Sequence, residues 1–128
     1  MASTFSFSDD FENLRPPGVR LVAYIGHVSG KRELLDVLAK QLSFPGYFGY
    51  NWDALSECLR DLSWIGGGDV AIVHLDVPTS LDPHGIRIYV GLLKDAVETW
   101  RVRATRELMV VFPRGARETV NELLSPGS

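Results

Sequence analysis

The sequence predicts an α/β protein: a small parallel sheet of three strands packed with helices in two layers. Three observations lead there. Three short apolar runs, residues 20–25 (RLVAYI), 70–75 (VAIVHL) and 108–112 (LMVVF), have the length and β-favouring composition of buried strands. Segments with helical periodicity separate them. That alternation implies crossover connections and parallel pairing.

Residues 1–17 are polar and mixed and end in Arg15-Pro16-Pro17, so they are expected to form a loose arm or short surface segment. The run at 20–25 is the first strand, and 26–30 a loop. A helix follows from Ser29 or Gly30 to about Leu42, with Leu34, Leu35, Val37, Leu38 and Leu42 on one side. Pro45, Gly46 and Gly49 forbid its continuation. Asn51 then serves as N-cap of a second, short helix whose apolar side carries Leu55, Cys58, Leu59 and Leu62. Gly66-Gly67-Gly68 is a turn. The near-continuous apolar run at 70–75 suits a strand covered on both faces. Tyr89, Leu92, Leu93, Ala96, Val97 and Trp100 recur at the spacing of an amphipathic helix. Pro113 closes the strand at 108–112, and residues 116–124 form a final short helix.

The chain has 128 residues, the length of one ordinary domain, with a formal net charge of −3 and a single cysteine. One cysteine forms no internal disulfide and no cysteine-rich zinc site, and it suits a reducing compartment. Residues 1–10 have neither the basic region nor the apolar run of a secretory leader. No apolar stretch approaches the roughly 20 residues needed to span a bilayer. A cytoplasmic protein is expected, monomeric, bound to neither membrane nor nucleic acid, and requiring no cofactor. The mild acidity argues against nucleic acid, whose binders meet phosphates with lysine and arginine.

Catalytic signals are weak. His27, His74 and His84 are scattered without metal-ligand spacing. Cys58 lies on the apolar side of its helix and reads as a small buried hydrophobe. The triple glycine lacks the lysine and hydroxyl residue of a phosphate loop.

The segment from Phe44 to Trp64 is different. Asp53, Glu57 and Asp61 follow at i, i+4 and i+8 and form one acidic stripe. Asp53 suits the positive end of the helix dipole. Like charges at this spacing cost about 0.2–0.5 kcal/mol per pair, so local stability does not select the row. It is either a solvated face, with Arg60 relieving Glu57 at i+3, or a surface for a cationic partner. Tyr47, Phe48, Tyr50, Trp52 and Trp64 surround it. Some are core, yet aromatic anchors beside carboxylates are what a protein-binding surface uses.

Residues 44–59, FPGYFGYNWDALSECL, resemble the signature of barstar-like ribonuclease inhibitors: a proline, paired aromatics, a glycine, an asparagine, an aspartate followed by alanine and leucine, then an acidic residue. The strand and helix order fits from about Arg20 to Pro113, making 18–113 a barstar-like domain between extensions 1–17 and 114–128. The resemblance implies that loop and acidic helix plug the active site of a basic secreted ribonuclease, with carboxylates standing where substrate phosphates would. By position, Tyr47 matches a loop tyrosine that packs on the catalytic histidine, and Asp53 matches the first interface aspartate. Glu57 falls where the central one lies. Asp95, within Leu92-Leu93-Lys94-Asp95-Ala96, matches a further interface carboxylate. The candidate partner-binding residues are therefore Tyr47, Gly49, Asn51, Asp53, Ser56, Glu57, Asp61 and Asp95. Ser56 departs from the family, which has an interface tryptophan there, and about two extra residues separate Leu59 from Trp64. The rival readings are an immunity protein against another kind of toxin, a general interaction module, and an enzyme using Asp53 and Glu57 as an acid–base pair.

Overall fold

The computed structural model describes residues 4–10 and 19–125. Four strands form one sheet in the order β1-β4-β3-β2, with every pair parallel: β1 (Ser6–Phe7), β2 (Val19–Ile25), β3 (Asp69–His74) and β4 (Leu108–Phe112). Helices α1 (Lys31–Gln41) and α2 (Trp52–Asp61) link β2 to β3. Helix α3 (Pro83–Arg103) links β3 to β4. A 3-10 turn (Arg114–Ala116) and α4 (Arg117–Leu124) follow.

The sheet thus has four strands where the sequence predicts three. The fourth lies in the segment expected to be a loose arm. Ser6 and Phe7 pair with Val111 and Phe112, and the Ser8 amide donates to the Phe112 carbonyl at 3.0 Å. Phe5 is buried, and Phe5 and Phe7 both pack on the Phe112 ring, at centroid distances of 5.4 and 6.4 Å. Two paired residues carry no alternating pattern. The aromatic contacts that hold the strand join positions more than 100 apart and are invisible to periodicity. The remainder of the expected arm, residues 1–3 and 11–17, lies outside the described residues.

The other predicted elements are present. Val70 to His74 are all buried, so β3 is covered on both faces, as its continuous apolar run requires. Leu34, Leu35 and Leu38 of α1, Leu55 and Leu59 of α2, and Tyr89, Leu93 and Ala96 of α3 join Ile25, Ile72 and Phe112 in the core. Burial of each large side chain contributes about 1.5–3 kcal/mol before conformational entropy is set against it.

His74, at the C-terminal end of β3, is the buried polar residue of this core. Its Nδ1 lies 3.0 Å from the Val111 carbonyl, which can only accept, so Nδ1 carries the proton. Its Nε2 accepts from the Tyr89 hydroxyl at 2.6 Å, and its ring stacks on Phe112 at 4.2 Å. Burial pushes the imidazole down to about 4, against a weaker upward pull from the Val111 carbonyl. Burial likewise drives the Tyr89 hydroxyl upward. His74 is therefore a neutral core histidine with both ring nitrogens satisfied.

The candidate partner-binding surface

Helix α2 starts where the sequence predicts, and Asn51 is the reason. Its backbone is extended, and its Oδ1 accepts from the Ala54 amide at 2.7 Å, which satisfies a donor the helix start leaves open. Its Nδ2 reaches back to the Gly49 carbonyl at 3.5 Å. A Cβ at Gly49 would meet that Nδ2 at 3.4 Å and the Ala54 methyl at 3.8 Å, so the loop closes tightly on the cap. Tyr50 adopts a left-handed backbone, φ 52°, unusual for an aromatic residue. That kink turns the chain from the aromatic loop into α2.

Aromatic packing holds the loop. Phe44 meets Phe48 at 4.9 Å and Trp64 at 5.7 Å, and Phe48 meets Tyr50 at 4.8 Å. Phe48 is buried, while Tyr50, Trp52 and Trp64 are half-buried. Tyr47 alone of the five points outward, with 76% of its surface exposed. The far end of α2 is tied to α3. The Trp100 indole donates to the Leu59 carbonyl at 2.7 Å, Arg103 donates to the Arg60 carbonyl, and Arg106 donates to the carbonyls of Ile65 and Gly66 at 3.0 and 2.9 Å. The Trp64 indole donates to the Leu42 carbonyl at 2.9 Å. Both ends of α2 are fixed, so its outer face is presented as a rigid surface.

That face is acidic. Asp53, Glu57 and Asp61 are all exposed. Asp61 accepts from the Ser63 hydroxyl at 3.2 Å. Among the described residues the one side-chain ion pair joins Lys40 to Asp36 on α1, and none involves the α2 row. Three cations of α1 and α2 make other contacts. Arg60 donates through Nε to the Ser56 carbonyl and hydroxyl, at 3.3 and 3.2 Å, rather than relieving Glu57. Lys31 lies 4.9 Å over the Trp52 ring, and Arg32 lies 4.2 Å over the Tyr50 ring. Each is a favourable cation–π contact.

The candidate residues fall into three groups. Tyr47, Glu57 and Asp61 line one cleft of about 160 Å³, with Phe48, Ala54 and Cys58 completing it. Ser56 and Asp95 line a different groove, between α2 and α3. Gly49 and Asn51 shape the loop and the helix start, and Asp53 stands on the exposed first turn of α2. Cys58 is buried, and burial, aided by Asp61 and Glu57, pushes its thiol up, the opposite of what a nucleophile needs. Among the described residues no group of three or more His, Cys, Asp or Glu is placed to hold a metal ion, and no helix is long and apolar enough to cross a membrane. Sequence reasoning missed Lys31 and Arg32. They belong to α1, and nothing in their spacing shows that they cover Trp52 and Tyr50.

The parallel sheet thus carries a braced helix with an acidic outer face, set behind an exposed tyrosine. The family model described as Barstar (barnase inhibitor) matches residues 20–113, and the chain belongs to that family. No curated protein matches the chain in sequence. β1, the 3-10 turn and α4 lie outside the matched residues.

Proposed function

We propose that this chain is an inhibitor of a basic secreted ribonuclease, acting as a monomer in the cytoplasm of the cell that makes the nuclease, and that it has no catalytic activity of its own. Occlusion is the mechanism: α2 and the loop before it enter the nuclease active site. Asp53 and Glu57 meet the cations that would otherwise hold substrate phosphates, Asp61 extends the row, Asp95 adds a charge from α3, and Tyr47 packs on an active-site ring. Gly49, Asn51 and Ser56 complete the contact surface.

One observation carries this reading. The carboxylates of Asp53 and Glu57 stand exposed on a helix braced at both ends and form no ion pair among the described residues, while Lys31 and Arg32 lie over aromatic rings and Arg60 is hydrogen-bonded to Ser56. A row assembled for local stability would be neutralised within the chain, because like charges at this spacing repel. Held unpaired, it attracts a positively lined cleft and speeds encounter. Electrostatic steering in general, of which the barnase–barstar pair is the standard example, raises association rates by about 10–1000-fold.

The test is an RNA-cleavage assay with barnase and other small basic ribonucleases, titrated with the protein. The expected result is stoichiometric inhibition of at least one enzyme, weakened at least about tenfold by Asp53→Ala or Glu57→Ala, which is a loss of about 1.4 kcal/mol. Equal inhibition by both variants, or no inhibition of any enzyme in the panel, overturns the reading.

A further inference from the structure

An open sheet ends in strands whose outward N–H and C=O groups are a template for pairing with another chain. Strand β2 is such an edge. We propose that Gln41 guards it: the Gln41 side chain occupies the pairing site of β2 and keeps two copies of this chain from joining edge to edge. This role is independent of which partner α2 meets.

The backbone of β2 faces outward at alternate residues. The Ile25 carbonyl accepts from the Leu75 amide at 2.8 Å, so Ile25 turns its backbone toward β3. Ala23 does the same, and Val22 and Tyr24 turn theirs away from the sheet. Tyr24 does not leave these groups to solvent. Its N–H donates to Gln41 Oε1 at 2.6 Å, and its carbonyl accepts from Gln41 Nε2 at 2.6 Å. A single orientation of the side-chain amide gives both bonds, because its oxygen can only accept and its nitrogen only donate. Gln41 thus presents to Tyr24 the same carbonyl and N–H that a residue of a neighbouring strand would present.

The guard is held in position. Gln41 is the last residue of α1, which Leu34, Leu35 and Leu38 anchor in the core. The next residue, Leu42, is fully buried, its amide donates to the Leu38 carbonyl at 2.9 Å, and its carbonyl accepts from the Trp64 indole at 2.9 Å. Water would satisfy the Tyr24 groups equally well, and ordering a glutamine side chain costs rotamer freedom. Local stability therefore does not select this arrangement.

Other features blunt the edges where Gln41 does not reach. Val19 pairs with Asp69 and Leu21 with Val70, so Arg20 is an extra residue that breaks the ladder and sets an arginine on the edge. At the opposite edge β1 is two residues long. The regular stretch of β2, from Leu21 to Ile25, has two outward residues, Val22 and Tyr24, and Gln41 takes one of them. A second copy is the occupant this edge fits. Two β2 strands related by a two-fold axis run antiparallel, and each copy's Val22 then meets the other copy's Tyr24. Val22 is half-buried and Tyr24 exposed, so the pair joins a β-branched and an aromatic side chain without like charges. Both pairs need the backbone groups that Gln41 holds.

The test compares the wild-type chain with Gln41→Ala by sedimentation velocity over a concentration series, with hydrogen exchange read at the Val22 and Tyr24 amides. The wild-type chain should stay monomeric, with the Tyr24 amide protected and the Val22 amide exchanging freely. Gln41→Ala should self-associate at least about tenfold more tightly, reversibly on dilution, with both amides protected in the associated form. Adding Val22→Pro removes an outward N–H, which an edge strand tolerates, and should return the variant to monomer. Cooperative thermal unfolding of each protein distinguishes pairing of folded chains from misfolding. A Gln41→Ala chain as monomeric as the wild type overturns the proposal. So does association that leaves the Val22 and Tyr24 amides exchanging, or a wild-type Tyr24 amide that exchanges as freely as that of Val22.

Discussion

Acidification puts a proton, and with it a positive charge, on His74 inside the core. The ring is fully buried, Nδ1–H already donates to Val111, and Nε2 accepts from Tyr89. Burial lowers the group from 6.5 to about 4 in the folded chain. The unfolded chain therefore binds the proton more readily between those values. The contribution of His74 to stability is whole above pH 6.5 and is lost as pH falls toward 4. A displacement of about 2.5 pH units corresponds to about 3 kcal/mol in full, with about 2 kcal/mol already gone at pH 5. A domain of this size has about 5–15 kcal/mol in total, so the loss is large. Glu33, held low chiefly by the Ser29 hydroxyl, contributes stability that is present above its ordinary value of 4.5 and is lost only as pH falls below it. The two effects separate by pH. Urea unfolding at intervals between about pH 7.5 and about pH 4.5 measures the decline, and NMR titration of the His74 ring assigns it. A ring that titrates near 6.5, or a stability flat from pH 6.5 to 5, refutes the reasoning.

Three further outcomes follow from named contacts. Asn51→Ala removes the cap of α2 and should cost about 1 kcal/mol by urea unfolding, with increased amide exchange at Asp53 and Ala54. Ala104 ends α3 in a left-handed conformation, φ 59°, on the exposed surface. Ala104→Gly should therefore stabilise the chain by up to about 1 kcal/mol, seen as a raised Tm. Phe5 is buried against Phe112 at the sheet edge, so Phe5→Ala should destabilise by about 3 kcal/mol and release the Ser8 amide to exchange.

The parts of the fold legible in the sequence are those written in local pattern. The α3 stripe from Tyr89 to Trp100, the unbroken apolar run of β3 and the Asn51 cap each state their own structure within a few residues. The acidic row was legible too, because a helix of known phase fixes which side chains share a face. What the sequence withholds depends on pairing across the chain. β1 is two residues long and is held by Phe112. The destination of Arg60 is decided between Glu57 and Ser56, both in reach along the helix, and geometry selects Ser56. The left-handed turn at Tyr50 has no glycine or asparagine to announce it, because the Phe48 and Arg32 contacts hold it in place. The α2–α3 groove arises where two helices distant in sequence meet, so Ser56 and Glu98 show nothing of it separately.

The claim on which the functional reading stands is that Asp53 and Glu57 act as free charges toward a cationic partner. Stopped-flow association with an inhibited ribonuclease, measured against ionic strength for the wild-type chain and for Asp53→Asn with Glu57→Gln, tests it most directly. Steering by these carboxylates requires a wild-type rate that falls steeply with salt, and a variant that is slower at low salt and far less sensitive to it. Equal rates and equal salt slopes for the two proteins would contradict it.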